Sequence, residues 1–230
     1  MPLTTQEIEA LKKITSPSVA NAIETFKVRP REQGNLSSDI RARFPEMGPM
    51  VGYAVPCVIR AEQGPIEGHR ASTYGWWDFV LTIPAPRVIV VHDLDDPRGQ
   101  GAQWGEVQAN IHRALGCVGV VTDGSVRDLD EVRALGFQFC AAHVSVSHAN
   151  VHMVDFGIPI KVGGVLIKPG DLLILQESPC EALSRYFTQT FFNFNLLWQG
   201  IHSRFATGVI DVSTPDRLSG RLGQVIVPQQ

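Results

Sequence analysis

Arg87-Val-Ile-Val-Val-His-Asp-Leu94 is the segment around which the rest of the chain has to be arranged. Its four consecutive β-branched residues fit a strand buried on both faces, as found in the middle of a parallel sheet. Such a strand needs helices to cover it. The sequence downstream supplies them in alternation. A glycine turn opens a helix within Gly99–Gly116, followed by the strand Cys117–Asp123, a helix in Leu129–Gly136 and the strand Phe137–Val144. This order predicts an α/β domain with right-handed crossovers.

The flanking segments fit the same plan. Thr4 or Thr5 can cap a first helix, and Ser16-Pro17 closes it and opens a second that runs to about Phe26. Residues 29–50, rich in Arg, Pro and Gly, read as an extended connection. Val51–Glu62 reads as a strand, and a short helix near residues 69–81 is ended by Pro84 and Pro86. Beyond Val151, short alternating stretches around Gly-Ile-Pro, Gly-Gly and Pro-Gly-Asp turns predict β-hairpins. At 230 residues the chain reads as a single domain.

Composition narrows the function classes. With 44% hydrophobic and 19% charged residues the chain should fold, and a net charge of -3 gives no electrostatic reason to expect nucleic acid or an anionic membrane as partner. The N-terminus is polar and amphipathic, and no apolar run approaches the ~20 residues of a membrane span, so a cytoplasmic protein is expected. Cys57, Cys117, Cys140 and Cys180 form no CxxC pair. Cys117 and Cys140 lie in apolar runs and are expected to be buried free thiols.

Two turns carry the chemistry. Gly99-Gln-Gly-Ala-Gln-Trp-Gly105 precedes a helix on which Trp104, Val107, Ile111 and Leu115 recur at roughly helical spacing. Unpaired amides at a helix start suit a carboxylate or phosphate, although a tight turn that merely needs glycine explains the motif equally well. The glycine spacing is neither a dinucleotide fingerprint nor a phosphate loop, which disfavours a nucleotide-binding dehydrogenase. Asp123-Gly-Ser-Val-Arg-Asp128 follows the strand ending at Asp123, and ligands collect at the carboxyl ends of such strands. Arg127 offers a planar fork for a carboxylate and Asp128 a hard oxygen for Mg²⁺ or Mn²⁺. The bland alternative has Asp128 capping the following helix and Arg127 in a surface ion pair. Both turns are expected to face one cleft.

Together, GQGAQWGE, VGVVTDGSVRDLDEVRALGF and VDFGIPIKVGGVLIKPGD resemble the RraA-like family over roughly residues 15–175. That family includes the 4-hydroxy-4-methyl-2-oxoglutarate aldolases and is often mislabelled demethylmenaquinone methyltransferase. The resemblance implies a swivelling β/β/α fold with a central sheet and flanking helices, assembled as a homotrimer or hexamer. It implies that Arg127 binds the substrate carboxylate, that Asp128 holds a divalent metal (Mg²⁺ or Mn²⁺), and that Gly105, Glu106, Val107 and Gln108 contact a small 2-oxo acid through their backbone. The implied activity is a class II pyruvate aldolase that also decarboxylates oxaloacetate, because both reactions leave the same enolate. The alternative from a different class is a non-catalytic regulatory binding protein of the RraA type.

Aldol cleavage needs a general base that the motifs do not identify. Glu106 is a candidate only by position. His143, His148 and His152 lie close in sequence but flank a β-rich stretch, so a three-histidine metal site is not the favoured reading. His69-Arg70 and Trp76-Trp77-Asp78 could shape the mouth of the cleft, and His112 reads as an ordinary helix residue. From Leu172 the sequence departs from the family pattern, and residues 176–230 are atypical. Four of the eleven phenylalanines fall between 187 and 194, a stretch expected to be packed, in an interface, or poorly ordered. An altered or replaced C-terminus is one hypothesis, tested by intact mass and sequencing of the source gene.

Overall fold

A computed structural model of the chain describes residues 2–27, 29–30, 33–66 and 70–176, and the backbone of 181–182. Cys180 and the phenylalanine-rich stretch lie outside them. Contacts divide the chain into Met1–Gln189 and Thr190–Gln230, and the second unit also lies outside the described residues.

Two helices lead the chain, α1 (Thr5–Leu11) and α2 (Ser16–Phe26), broken where Ser16-Pro17 predicts. Thr4 caps α1 in a reciprocal box with Glu7, and Thr15 caps α2 with Pro17 in its first turn. The connection that follows contains the short strand β1 (Arg41–Ala42). The alternating region then folds as β2 (Met50–Arg60), α3 (Thr73–Thr82), β3 (Arg87–Asp93), β4 (Ala102–Trp104), α4 (Glu106–Ala114), β5 (Cys117–Val126), α5 (Leu129–Leu135) and β6 (Gln138–Val144). Five short strands complete the described residues: β7 (His152–Phe156), β8 (Ile160–Val162), β9 (Val165–Ile167), β10 (Leu172–Leu175) and β11 (Glu181–Ala182).

Among the described residues the main sheet runs β1-β6-β5-β3-β2-β10-β11, with β4 added to β5 and β7 to β2. Its centre, β6-β5-β3-β2, is parallel. β3 lies in the middle with Val88, Ile89, Val90 and Val91 fully buried, as its β-branched run requires. β7 and β10 both pair antiparallel with β2, at opposite ends of that strand. Strands β8 and β9 form a separate hairpin around Gly163-Gly164.

Strand alternation divides the side chains between two faces. Met50, Ala54 and Val58 of β2, Val88 and Val90 of β3, and Val121 of β5 pack with Ile160, Val162 and Ile167 of the hairpin. Helix α4 packs on β5 and against α5.

Two local expectations change. Trp104 is the end of β4 rather than the start of a helical stripe, and Val107 is 66% exposed, so the inner face of α4 is Ala109 and His112. Gly105 is extended at φ -153°, which delays the helix to Glu106 and rotates its register. The segment Asp123–Val126 is the tail of β5, which confines the turn to Arg127 and Asp128.

Candidate functional site

Where β4 ends, α4 begins and β5 gives way to α5, the chain leaves a cleft of about 400 Å³. Gly105, Val107, Gln108, Arg127 and Asp128 line it on one side. Trp76, Trp77 and Arg70 line it around α3, and His148, His152 and Met153 line it around β7. Its size suits a small organic acid.

Asp128 adopts φ 54°, ψ 47°, a left-handed conformation that costs a non-glycine residue about 1 kcal/mol. That backbone turns the carboxylate away from its own helix. Asp128 makes no side-chain cap on α5; its Oδ2 accepts instead from the Glu106 amide of α4 at 3.0 Å. Oδ1 has no hydrogen bond among the described residues. Arg127 lies alongside, its Nε 3.6 Å from Asp128 Oδ2 and its amide donating to the Trp104 carbonyl at 2.8 Å. A Cβ on Gly105 would collide with the Asp128 carboxylate as it lies here, so the glycine leaves that carboxylate its place. The first-turn amides of Val107 and Gln108 have no intrahelical acceptor, and with the helix dipole they favour an anion in front of them.

A polar contact holds the floor. Trp76 Nε1 donates to His112 Nε2 at 2.8 Å, and His112 Nδ1 donates to the Gln108 carbonyl at 2.8 Å. Both ring nitrogens are therefore used, and the Trp104 ring lies 4.6 Å from the imidazole. Burial pushes His112 down to about 4, partly opposed by the Gln108 bond, so the ring is neutral at pH 7. Sequence reading missed this residue, because a lone histidine on a helix gives no sign of its partner on α3.

The motif Asp123–Asp128 does not face one space. Asp123 shares the face of Val121, and His92 that of Val88 and Val90, and both line a second, larger cleft of about 780 Å³ beside the hairpin. His92 Nδ1 lies 2.8 Å from Asp123 Oδ2, whose other oxygen accepts the Asp93 amide at 2.8 Å. Asp93, fully buried, accepts the Gly99 and Asp95 amides and so pins the glycine turn. Burial raises its pKa against those two bonds, and the charges of Asp95 and Asp123 add to the rise.

The expected residues distribute as follows. Gly105, Val107, Gln108, Arg127 and Asp128 come together in the smaller cleft. The Glu106 side chain is exposed and does not line it, and its amide is taken by Asp128. His148 and His152 line the smaller cleft and His143 the larger. Arg70, Trp76 and Trp77 line the smaller cleft, Asp78 does not, and His69 lies outside the described residues. Cys57, Cys117 and Cys140 are buried thiols, with Cys117 pushed up to about 12 by desolvation.

Residues 16–178 match the family RraA-like, described as Aldolase/RraA, and that stretch holds both turns of the cleft. The chain belongs to the RraA-like family. Within it, the chain is 34% identical over 71 residues to a protein of Halalkalibacterium halodurans named "Putative 4-hydroxy-4-methyl-2-oxoglutarate aldolase", covering 30% of this chain and 34% of that one. Alignments to three curated relatives cover between 32% and 52% of their lengths. RraAS2 of Streptomyces coelicolor, described as an unusual member of the RNase ES inhibitor RraA protein family, superposes with TM-score 0.66 at 17% identity, over 88% of this chain and 96% of that one. A structure described as novel cellulases from microbes associated with the gut ecosystem gives 0.72 at 18%, over 90% and 89%. At such identities these structures show a shared fold, the RraA-like mixed sheet with flanking helices.

The RraA-like family includes aldolases, which are metal-dependent, and the residues here can be tested against such an ion. Among the described residues no group of three or more His, Cys, Asp or Glu is arranged to hold a metal ion. Asp128 alone, a carboxylate lining the cleft whose Oδ1 has no hydrogen bond among the described residues, fits Mg²⁺ or Mn²⁺, which keep several waters and take oxygens from substrate. It does not fit a closed zinc cage.

Proposed function

We propose that this chain is a divalent-cation-dependent lyase that releases pyruvate from 2-oxo acids of the 4-hydroxy-4-methyl-2-oxoglutarate type and from oxaloacetate. The carrying observation is the left-handed Asp128 beside Arg127, both turned to the start of α4 rather than used to cap α5. Arg127 and the Val107 and Gln108 amides receive the carboxylate next to the 2-oxo group. A cation held by Asp128 would supply Lewis-acid chemistry beside the 2-oxo group. Trp76 and Trp77 line the same cleft and bring apolar surface beside these charged groups. The match to Aldolase/RraA and the aldolase-named relative support the same reading.

The test uses calorimetric Mn²⁺ binding and pyruvate release together. Asp128→Asn, which tolerates the same backbone, should lose Mn²⁺ affinity and turnover while its circular dichroism stays that of the wild type. Arg127→Lys keeps the charge but loses the fork, and should lower kcat/KM by roughly 10²-fold with Mn²⁺ binding retained. Undiminished Mn²⁺ binding by Asp128→Asn would contradict the assignment.

A further inference from the structure

Among the described residues, three cleft-lining side chains carry a basic atom: Asp128, His148 and His152. Asp128 is committed to the Glu106 amide and, in the reading above, to a cation. His148 is exposed on the turn before β7, its Nδ1 2.8 Å from the adjacent Ala149 carbonyl. His152 differs from both. It is buried, it begins β7, and β7 pairs with the carboxyl end of β2, where Arg60 lies opposite it.

The contrast with His112 separates structure from chemistry. His112 spends both ring nitrogens on protein partners, as a packing histidine does. In His152 only Nδ1 is engaged, donating to the Asn150 carbonyl at 3.0 Å. That bond fixes the tautomer, so Nε2 carries the lone pair, and Nε2 makes no hydrogen bond to any described residue. A buried imidazole with a fixed tautomer, held on a strand at the wall of the cleft, is pre-organised to take a proton there.

We infer that His152 is the general base of this site, and the inference rests on the lyase reading. In aldol cleavage Nε2 takes the C4 hydroxyl proton, and C4–O becomes a carbonyl. The C3–C4 bond breaks, its electron pair forms the C2–C3 double bond, and the C2 oxygen takes the negative charge. The proton then passes from Nε2 to C3, so that one hydroxy-methyl-oxoglutarate gives two pyruvates. Oxaloacetate has no C4 hydroxyl. Its C4 carboxylate leaves as CO₂ without deprotonation, and C3 takes its proton from water.

The two substrates therefore separate the base from the rest of the site. Full-length His152→Gln and His152→Asn are compared with wild type for both reactions in Mn²⁺. Oxalate, a planar mimic of the enolate, is titrated in parallel by quenching of tryptophan fluorescence, since Trp76 and Trp77 line the cleft. Aldol cleavage should fall by about 10²-fold or more in both variants, with oxaloacetate decarboxylation and oxalate affinity kept within about threefold. Equal losses in both reactions, retained aldol cleavage, or loss of oxalate binding in both variants would overturn the role. A wild type that binds oxalate but releases pyruvate from neither substrate would instead overturn the lyase reading.

Discussion

At the residue scale, the site depends on two backbone choices that are visible only once the chain is folded. Gly105 leaves room for the Asp128 carboxylate, and Asp128 takes a left-handed turn to reach it. Gly105→Ala should therefore displace that carboxylate, cost about 1–3 kcal/mol in urea denaturation and weaken Mn²⁺ binding. Unchanged stability and Mn²⁺ affinity would show that the collision is relieved elsewhere. The pairing of Arg127 with Asp128 was legible in the sequence because the two residues are adjacent and follow a strand. The split between Asp128 and Asp123 was not: the buried tail of β5 carries Asp123 to the hairpin side, where it meets His92. His152 was legible only as a histidine in a β-rich stretch, since its tautomer is set by a carbonyl two residues away.

At the scale of elements, the strands and helices of residues 87–144 could be read directly, because a doubly buried strand and its crossovers leave a strong local pattern. Strand β4 could not, since three residues between glycines carry almost no periodicity. Nor could the pairing of β7 with β2, which is set by tertiary packing rather than by local sequence. The contact between α3 and α4 through Trp76 and His112 has a pH signature. Unfolded His112 protonates near 6.5 and the folded residue only near 4, so its contribution to stability is complete above 6.5 and is lost as pH falls from 6.5 towards 4. The loss should reach about 3 kcal/mol, and the urea midpoint of His112→Gln should depend less steeply on pH across that window. Parallel slopes for variant and wild type would contradict a buried neutral ring.

At the scale of the whole molecule, membership of the RraA-like family fixes the fold, and the family includes both aldolases and regulatory RraA inhibitors. We propose a homotrimer or hexamer, as the resemblance implies, and sedimentation should then give about three or six times the 25.2 kDa chain mass. A mass of one chain would contradict it. Among the described residues no helix is long and apolar enough to cross a membrane. Catalysis and regulation separate on turnover. The most direct measurement is pyruvate release from oxaloacetate by the full-length chain, first with Mn²⁺, then with excess chelator, then with Mn²⁺ restored. On the lyase reading, turnover stops with the chelator, returns with the metal, and is absent from Asp128→Asn throughout. Folded protein that binds Mn²⁺ yet releases no pyruvate, or turnover indifferent to chelator, would contradict it.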